Sequence, residues 1–326
     1  MNTLLVFCIM VFASAFTFFS WRSYTFYMDL ANKGLRMVDL DRSENLKFTR
    51  EYKSDRVVIS KKLEINDKPF DTQKGIPIIF VITPTYYRLE QKAELTRVCQ
   101  TFRLVKNLYW ILVEDSLNKT SLVERLLNNC KVPYAHLNAV TPPKYKNIPG
   151  ETKFPRGVAQ RNAALAWIRT HVNPKETQGV VYFADDDNTY DVRIFEEMRY
   201  TNIVSVWPVG LLGRKFESPI VKAGKVVGWA FVLGAHRRFP IDMASFAFNV
   251  QLLFSHPEAA FNYTARHGMQ ESIILNGLNV TMSDMEPKAN NCTEILVWHT
   301  KTQRTIVANQ PKPQANMRTV SVDLEV

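Results

Sequence analysis

Between residues 76 and 190, unbroken apolar runs alternate with segments whose apolar residues recur at helical spacing. Residues 76–82 (IPIIFVI) form one such run. A run with no polar side predicts a strand covered on both faces. Residues 90–104 carry Leu95, Val98 and Phe102 on or near one helical face, with Val105 just beyond. Residues 110–113 (WILV) predict a second strand, which runs directly into Glu114 and Asp115. A helix at 121–129, a short extended piece near His136 and a helix at 155–170 with proline at its start follow. Residues 180–184 (VVYFA) are β-branched and aromatic, and predict another buried strand. Strands and helices in alternation predict an α/β fold, with a parallel or mixed sheet.

The second half has a different rhythm. Residues 203–207 and 226–229 predict strands, the second in a hairpin with 219–221. Residues 246–253 and 270–278 predict helices, and 295–298 a last strand before an extended tail with Pro311 and Pro313. At the other end, residues 1–20 carry no charged side chain, and 4–19 form an apolar run of about one membrane span. That run reads as a cleaved signal peptide, with Ala13-Ser14-Ala15 as its small-residue site, or as an uncleaved anchor that puts the rest of the chain in the secretory lumen. Loop charge does not choose the orientation, because Arg22, Lys33 and Arg36 all follow the span. Residues 21–75, mixed in charge, read as a stem leading to a folded domain over 76–326.

The net charge of +10 suits acidic partners such as nucleotides, phosphates, anionic glycans or a membrane surface. The absence of zinc-finger spacing and of RNP-like motifs argues against nucleic acid. Sequons at Asn118, Asn262, Asn279 and Asn291 fit a secretory setting. Cys8 falls in the apolar segment, so Cys99, Cys130 and Cys292 allow at most one intrachain disulfide, with buried free thiols as the alternative.

Chemistry concentrates at predicted strand ends. Tyr86 follows the first strand, Asp115 the second, and Asp185, Asp186 and Asp187 the third. In a parallel sheet these ends share one rim, where ligands collect. Carboxylate oxygens suit hard cations, so the triplet predicts a metal–phosphate site; a solvated acidic turn is the bland alternative. Tyr86 is placed to stack on a base and Asp115 to bond base or ribose, against plain strand-end capping. Arg156 and Arg161 frame the start of a helix, where an anion finds guanidinium forks and favourable partial charge. Glu271 precedes Ile274, Leu275 and Leu278 by three, four and seven residues, so it shares their inward face. An inward carboxylate at a helix start suits a general base, or caps the helix. Glu217, Arg237, Asp242 and His299 lie in polar stretches between apolar segments.

The segments PTY at 84–86, VED at 113–115, PRG at 155–157 with QRN at 160–162, and YFADDDNTY at 182–190 resemble the β1,3-glucuronyltransferase family. So do SVWPVG at 205–210, residues 239–244, QES at 270–272 and NCTEILVWHTKT at 291–302. The resemblance runs from about residue 76 to the C-terminus. It implies a GT-A type nucleotide-sugar-binding sheet with helices on both faces (about 76–190), plus a smaller acceptor-binding mixed-sheet half (about 191–326). It also implies a single-pass type II Golgi membrane protein, likewise a homodimer. The implied reaction is Mn²⁺-dependent, inverting transfer of glucuronic acid from UDP-glucuronic acid to a terminal galactose of a proteoglycan linker or a glycoprotein glycan. By resemblance, Asp187 ligates the metal. Tyr86, Asp115, Arg156, Arg161, Asp185, Asp186, His299 and Lys301 hold the donor. Glu217, Arg237 and Asp242 hold the acceptor, and Glu271 is the general base.

Two departures qualify the carry-over. Lys301 stands where the family usually has arginine, and Leu233 where it often has tryptophan. Lysine neutralises phosphate but makes no bidentate fork, and loss of an aromatic ring removes a sugar platform. A related transferase with another UDP-sugar donor and a non-catalytic glycan-binding paralogue are therefore the alternatives.

Overall fold

The apolar runs become the centre of a seven-stranded sheet. The computed structural model describes residues 75–146, 154–212, 215–230, 237–266 and 268–303. The expected anchor, nearly all of the expected stem, and Leu233 lie outside the described residues. The strands are β1 (Ile78–Thr85), β2 (Leu108–Glu114), β3 (Tyr134–Asn138), β4 (Gly179–Phe183), β5 (Thr189–Tyr190), β6 (Val204–Val206), β7 (Val209–Leu212), β8 (Lys215–Lys222), β9 (Lys225–Ala230), β10 (Phe246–Asn249), β11 (Met285–Pro287) and β12 (Val297–Trp298). The helices are α1 (Gln91–Phe102), α2 (Ser121–Cys130), α3 (Val158–His171), α4 (Arg193–Arg199), α5 (Gln251–Ser255) and α6 (Gln270–Gly277).

The large sheet has the order β11-β6-β10-β4-β1-β2-β3. The strands β3, β2, β1 and β4 run parallel, while β10 pairs antiparallel with both β4 and β6. Ile78, Phe80 and Ile82 face one core with α3, while Ile79 and Val81 face the other with α1 and α2. That alternation is the period of two expected of a strand, and it explains why the run has no polar side. The mixed α/β fold with helices on both faces is therefore the architecture expected. The smaller sheet has the order β5-β12-β7-β8-β9, and β8 with β9 form the expected hairpin.

Several element boundaries differ from the expectations. Residues 246–253 are not one helix: Phe246–Asn249 is the strand β10, and helix begins only at Gln251. A short apolar run does not distinguish strand from helix by itself, and pairing with Tyr182 of β4 and Ser205 of β6 decides it. The helix expected from Pro155 starts at Val158, because Gly157 takes a left-handed backbone (φ 73°) that ends the turn before it. The last strand shrinks to Val297–Trp298. The short α4 was not anticipated. Its Arg199 is fully buried, where the guanidinium donates to the carbonyls of Pro77 and Lys106 and pairs with Glu196. Just before β12, Ala289–Cys292 takes left-handed backbone at four successive non-glycine residues. Such a turn costs roughly 1–2 kcal/mol per residue, so the surrounding packing must hold it.

Cys99 on α1 is bonded to Cys130 at the end of α2, and Cys292 is a buried free thiol. The bridge closes a sequence separation of 31 residues and clamps two helices that cover the same face of the sheet. Cys130→Ser is expected to lower unfolding free energy by about 2–4 kcal/mol, the range for loops of this length. Thermal unfolding with and without reductant checks this. A wild type whose melting point ignores reductant would count against a stabilising bridge.

Candidate functional site

Chain order reverses between β1 and β4. From β1 the chain winds outward to β2 and β3, then returns to the other side of β1 as β4. In open α/β sheets, the crevice at such a reversal, beyond the carboxyl ends of the strands, is where ligands sit. Tyr86 follows β1 and Asp185 lies two residues past β4, both at this crevice. Tyr86 is 48% exposed. Just past the neighbouring β2, Asp115 accepts bonds from the Thr141 backbone N–H (2.8 Å) and from Thr141 Oγ1 (2.7 Å). The adjacent Glu114 is buried and bonded to Thr120 and His136, so it shapes the loop and Asp115 faces the rim.

The three aspartates have three different environments. Asp185 pairs with Nη2 of Arg161 at 2.5 Å. Asp186 is buried, accepting from Thr85 Oγ1 at 2.7 Å and pairing with Nη2 of Arg88 at 2.8 Å. The backbone carbonyl of Asp187 is held by Arg97 and Thr300, while burial first, then Asp185 and Asp186, push its carboxyl above the usual range. Two of the three charges are thus balanced by arginine, and the third is left partly uncompensated. Arg161 is also fixed by the Arg156 carbonyl (2.9 Å) and by the Phe261 ring (5.9 Å). Its guanidinium lies against Gly157, where a Cβ would meet Nη1 at 2.5 Å. The Arg156 side chain itself is exposed.

A second group of carboxylates comes from the later elements. Glu217 lies on β8 opposite Val209 of β7. Asp242 caps the turn Met243–Ser245 by accepting from the Ala244 N–H (2.9 Å), with Nδ1 of His299 3.6 Å from its other oxygen. Glu271 is the second residue of α6. One carboxylate oxygen each of Glu217 and Glu271 is buried without a hydrogen-bond partner. Burial, then repulsion from Asp242, raises Glu271 to about 8. Burial and Asp242 raise Glu217 to about 8 also, with Glu271 adding to the push. Arg237 opposes both shifts, and its guanidinium is pressed against Gly268, whose φ of 79° and missing side chain make the approach feasible. Arg161 and Asp185 also act on Asp242, so the two groups share one electrostatic field.

The structure therefore brings Asp185, Asp186, Asp187, Arg161, Asp242, His299, Glu217, Arg237 and Glu271 into one region, with Tyr86 and Asp115 along the rim. Lys301 is exposed, one residue past Thr300, whose Oγ1 donates to the Asp187 carbonyl. Sequence reading missed Arg88, Thr85, Arg97, Thr141 and Phe261. Arg88 lies two residues beyond Tyr86, and the rim argument that found Tyr86 extends to it. The others touch the site through contacts that sequence spacing does not encode. Among the described residues, no group of three or more His, Cys, Asp or Glu is arranged to hold a metal ion. Asp187 with its neighbours instead fits a hard cation bound by one carboxylate and completed by ligand phosphates.

A family model described as Glycosyltransferase family 43 matches residues 98–303. The Homo sapiens protein named galactosylgalactosylxylosylprotein 3-beta-glucuronosyltransferase 2 is 51% identical over 240 residues, covering 73% of this chain and 73% of that protein. A Rattus norvegicus protein named galactosylgalactosylxylosylprotein 3-beta-glucuronosyltransferase 1 is 47% identical over 273 residues, 81% of each chain. Among solved structures, S. aureus TarS 1-349 aligns with a TM-score of 0.42 at 15% identity, over 68% of this chain and 60% of that one, too slight a likeness to carry an argument.

The raised carboxyl of Glu271 has a consequence for stability. The folded state binds its proton more tightly than the unfolded chain does, so stability is greatest below the ordinary glutamate range and falls as pH rises toward about 8. Glu271→Gln removes that loss. We expect the variant to melt higher than wild type, with the gap growing from pH 5 to pH 8 to on the order of 1–3 kcal/mol. Equal melting points across that window would show that the carboxylate is not under strain.

Proposed function

The chain belongs to glycosyltransferase family 43 and is an enzyme of the 3-beta-glucuronosyltransferase type, and on that premise we propose that it transfers glucuronic acid from UDP-glucuronic acid to the 3-hydroxyl of a terminal galactose with inversion. The observation that carries this reading is the Glu271 carboxylate, whose Oε2 is buried, unpartnered and next to Asp242 and Glu217. A group so placed takes up a proton readily, as a base facing a sugar hydroxyl must. Glu271 removes the proton from the acceptor hydroxyl as its oxygen bonds to the anomeric carbon. The bond from that carbon to the phosphate oxygen breaks on the opposite side, and UDP leaves with the electron pair.

The remaining residues bind and orient. Tyr86 and Asp115 take the base, and Asp185 and Asp186 the uridine and ribose side. Arg156, Arg161, His299 and Lys301 hold the rest of the donor. Glu217, Arg237 and Asp242 hold the galactose hydroxyls. Asp187 would hold Mn²⁺, which when bound supplies charge neutralisation to the diphosphate. The acceptor is a proteoglycan linker or a glycoprotein glycan. The Cys99–Cys130 bridge supports an oxidising compartment, in keeping with a Golgi-lumenal domain behind an N-terminal anchor. A second reading, transfer from another UDP-sugar, draws on Lys301, which lacks the fork for bidentate contact.

The test is product formation by the full-length protein with UDP-glucuronic acid, Mn²⁺ and a panel of galactose-terminated acceptors. Glu271→Ala is expected to lower kcat by about 10²–10⁴-fold, the usual worth of a general base. The wild-type rate is expected to rise with pH up to about 8, because only ionised Glu271 accepts a proton. Undiminished transfer by the alanine variant would remove Glu271 from the chemistry. Donor-independent silence of the wild type would remove the activity.

A further inference from the structure

Among the described residues, Arg88 joins Tyr86, Asp186 and Glu94. Its Nη2 lies 2.8 Å from Oδ1 of Asp186 and also pairs with Glu94 of α1. Its Nη1 donates to the Tyr86 carbonyl at 3.2 Å, and the guanidinium carbon stands 4.6 Å from the centroid of the Tyr86 ring. The side chain is 15% exposed, against 7% for Asp186 and 2% for Glu94. It is therefore nearly enclosed.

A brace for the turn between β1 and α1 would be complete with Glu94 and the Tyr86 carbonyl. The additional reach to the ring and to Asp186 is not needed for that. Both targets retain capacity for a ligand. Tyr86 keeps about half its surface exposed, and a carboxylate has about four acceptor positions, of which Thr85 and Arg88 fill two at Asp186. A planar guanidinium can lie over a ring while donating to a carboxylate.

We propose that Arg88 is a positioning residue for the nucleoside half of a nucleoside diphosphate, holding the Tyr86 ring and the Asp186 carboxylate in one register without itself touching the ligand. The base then meets a ring already oriented, and the ribose hydroxyls a carboxylate already aimed. The proposal rests on the donor-site reading above.

Calorimetric binding of UDP, 2′-deoxy-UDP and 3′-deoxy-UDP to the full-length protein tests it, with wild type, Arg88→Met and Arg88→Lys. Wild type is expected to prefer UDP over at least one deoxy nucleotide. Arg88→Met is expected to weaken UDP binding about tenfold or more and to bring that preference toward one, with Arg88→Lys recovering part of the affinity. The ratio is the diagnostic readout, since a merely structural loss lowers all three nucleotides alike. Should Arg88→Met fail to fold, the Arg88→Lys ratio against wild type serves instead. Equal weakening of all three, UDP binding within twofold of wild type, or no deoxy discrimination by the wild type would each overturn the proposal while UDP binding leaves the donor reading standing. A wild type that binds no UDP would sink the donor reading, and the proposal with it.

Discussion

Three successive carboxylates at the end of a strand that is buried on both faces set the problem that the rest of the fold answers. Ionised groups so close to a low-dielectric sheet repel one another and lose hydration. The chain meets the problem with two arginines from opposite directions. Arg161, at the first turn of α3, takes Asp185, and Arg88, from the turn after β1, takes Asp186. Neither could do so if β4 did not lie beside β1, because it is this adjacency that puts α3 on one side of the triplet and the β1–α1 turn on the other. The sheet order is thus tied directly to the electrostatics of the site.

The residual charge is then distributed unevenly. Asp187 keeps a carboxyl shifted upward, and Glu217, Asp242 and Glu271 share a second concentration of negative charge with Arg237 and His299 as counterweights. Four upward-shifted acids in one region are a stability cost that a purely structural domain would have no reason to retain. Replacing one of them by an amide would relieve the cost, and the gathering of all four in one region argues for ligands that carry compensating groups. On the proposed reading, a divalent cation would answer the first concentration, and sugar hydroxyls with a transferable proton the second.

Much of this was legible in the residues. The strand runs 76–82, 110–113 and 180–184 became β1, β2 and β4, and their polar ends did gather on one rim, because continuous apolar runs and parallel order are both properties of a covered sheet. Glu271 was found from its position three, four and seven residues before apolar neighbours, and it is indeed inward. What escaped was what depends on partners distant in sequence. Residues 246–253 carry a pattern that suits helix or strand, and only pairing with β4 and β6 makes Phe246–Asn249 extended. Arg88 looks like an ordinary basic residue before a helix until Asp186, 98 positions later, is brought against it. The Asn290-Asn291 pair is a weak local sign of left-handed backbone at Ala289–Cys292, but nothing in the sequence extends it to Ala289 and Cys292.

That strained turn has a place in the same argument. It delivers the chain into β12, which pairs with β7 through Val297 and Val209, while Val209 is also the partner of Glu217 on β8. Beyond β12 the His299 N–H bonds to the Gly210 carbonyl (2.9 Å), His299 faces Asp242, and Thr300 holds the Asp187 carbonyl. A single two-residue strand therefore fixes one residue beside each concentration of acid, and shares a neighbour with a third acid. Strain of a few kcal/mol ahead of it is tolerable only because so many contacts depend on where it ends. The same geometry places His299 where its charge opposes the upward shifts of both Asp187 at the triplet and Asp242 among the carboxylates of the later elements.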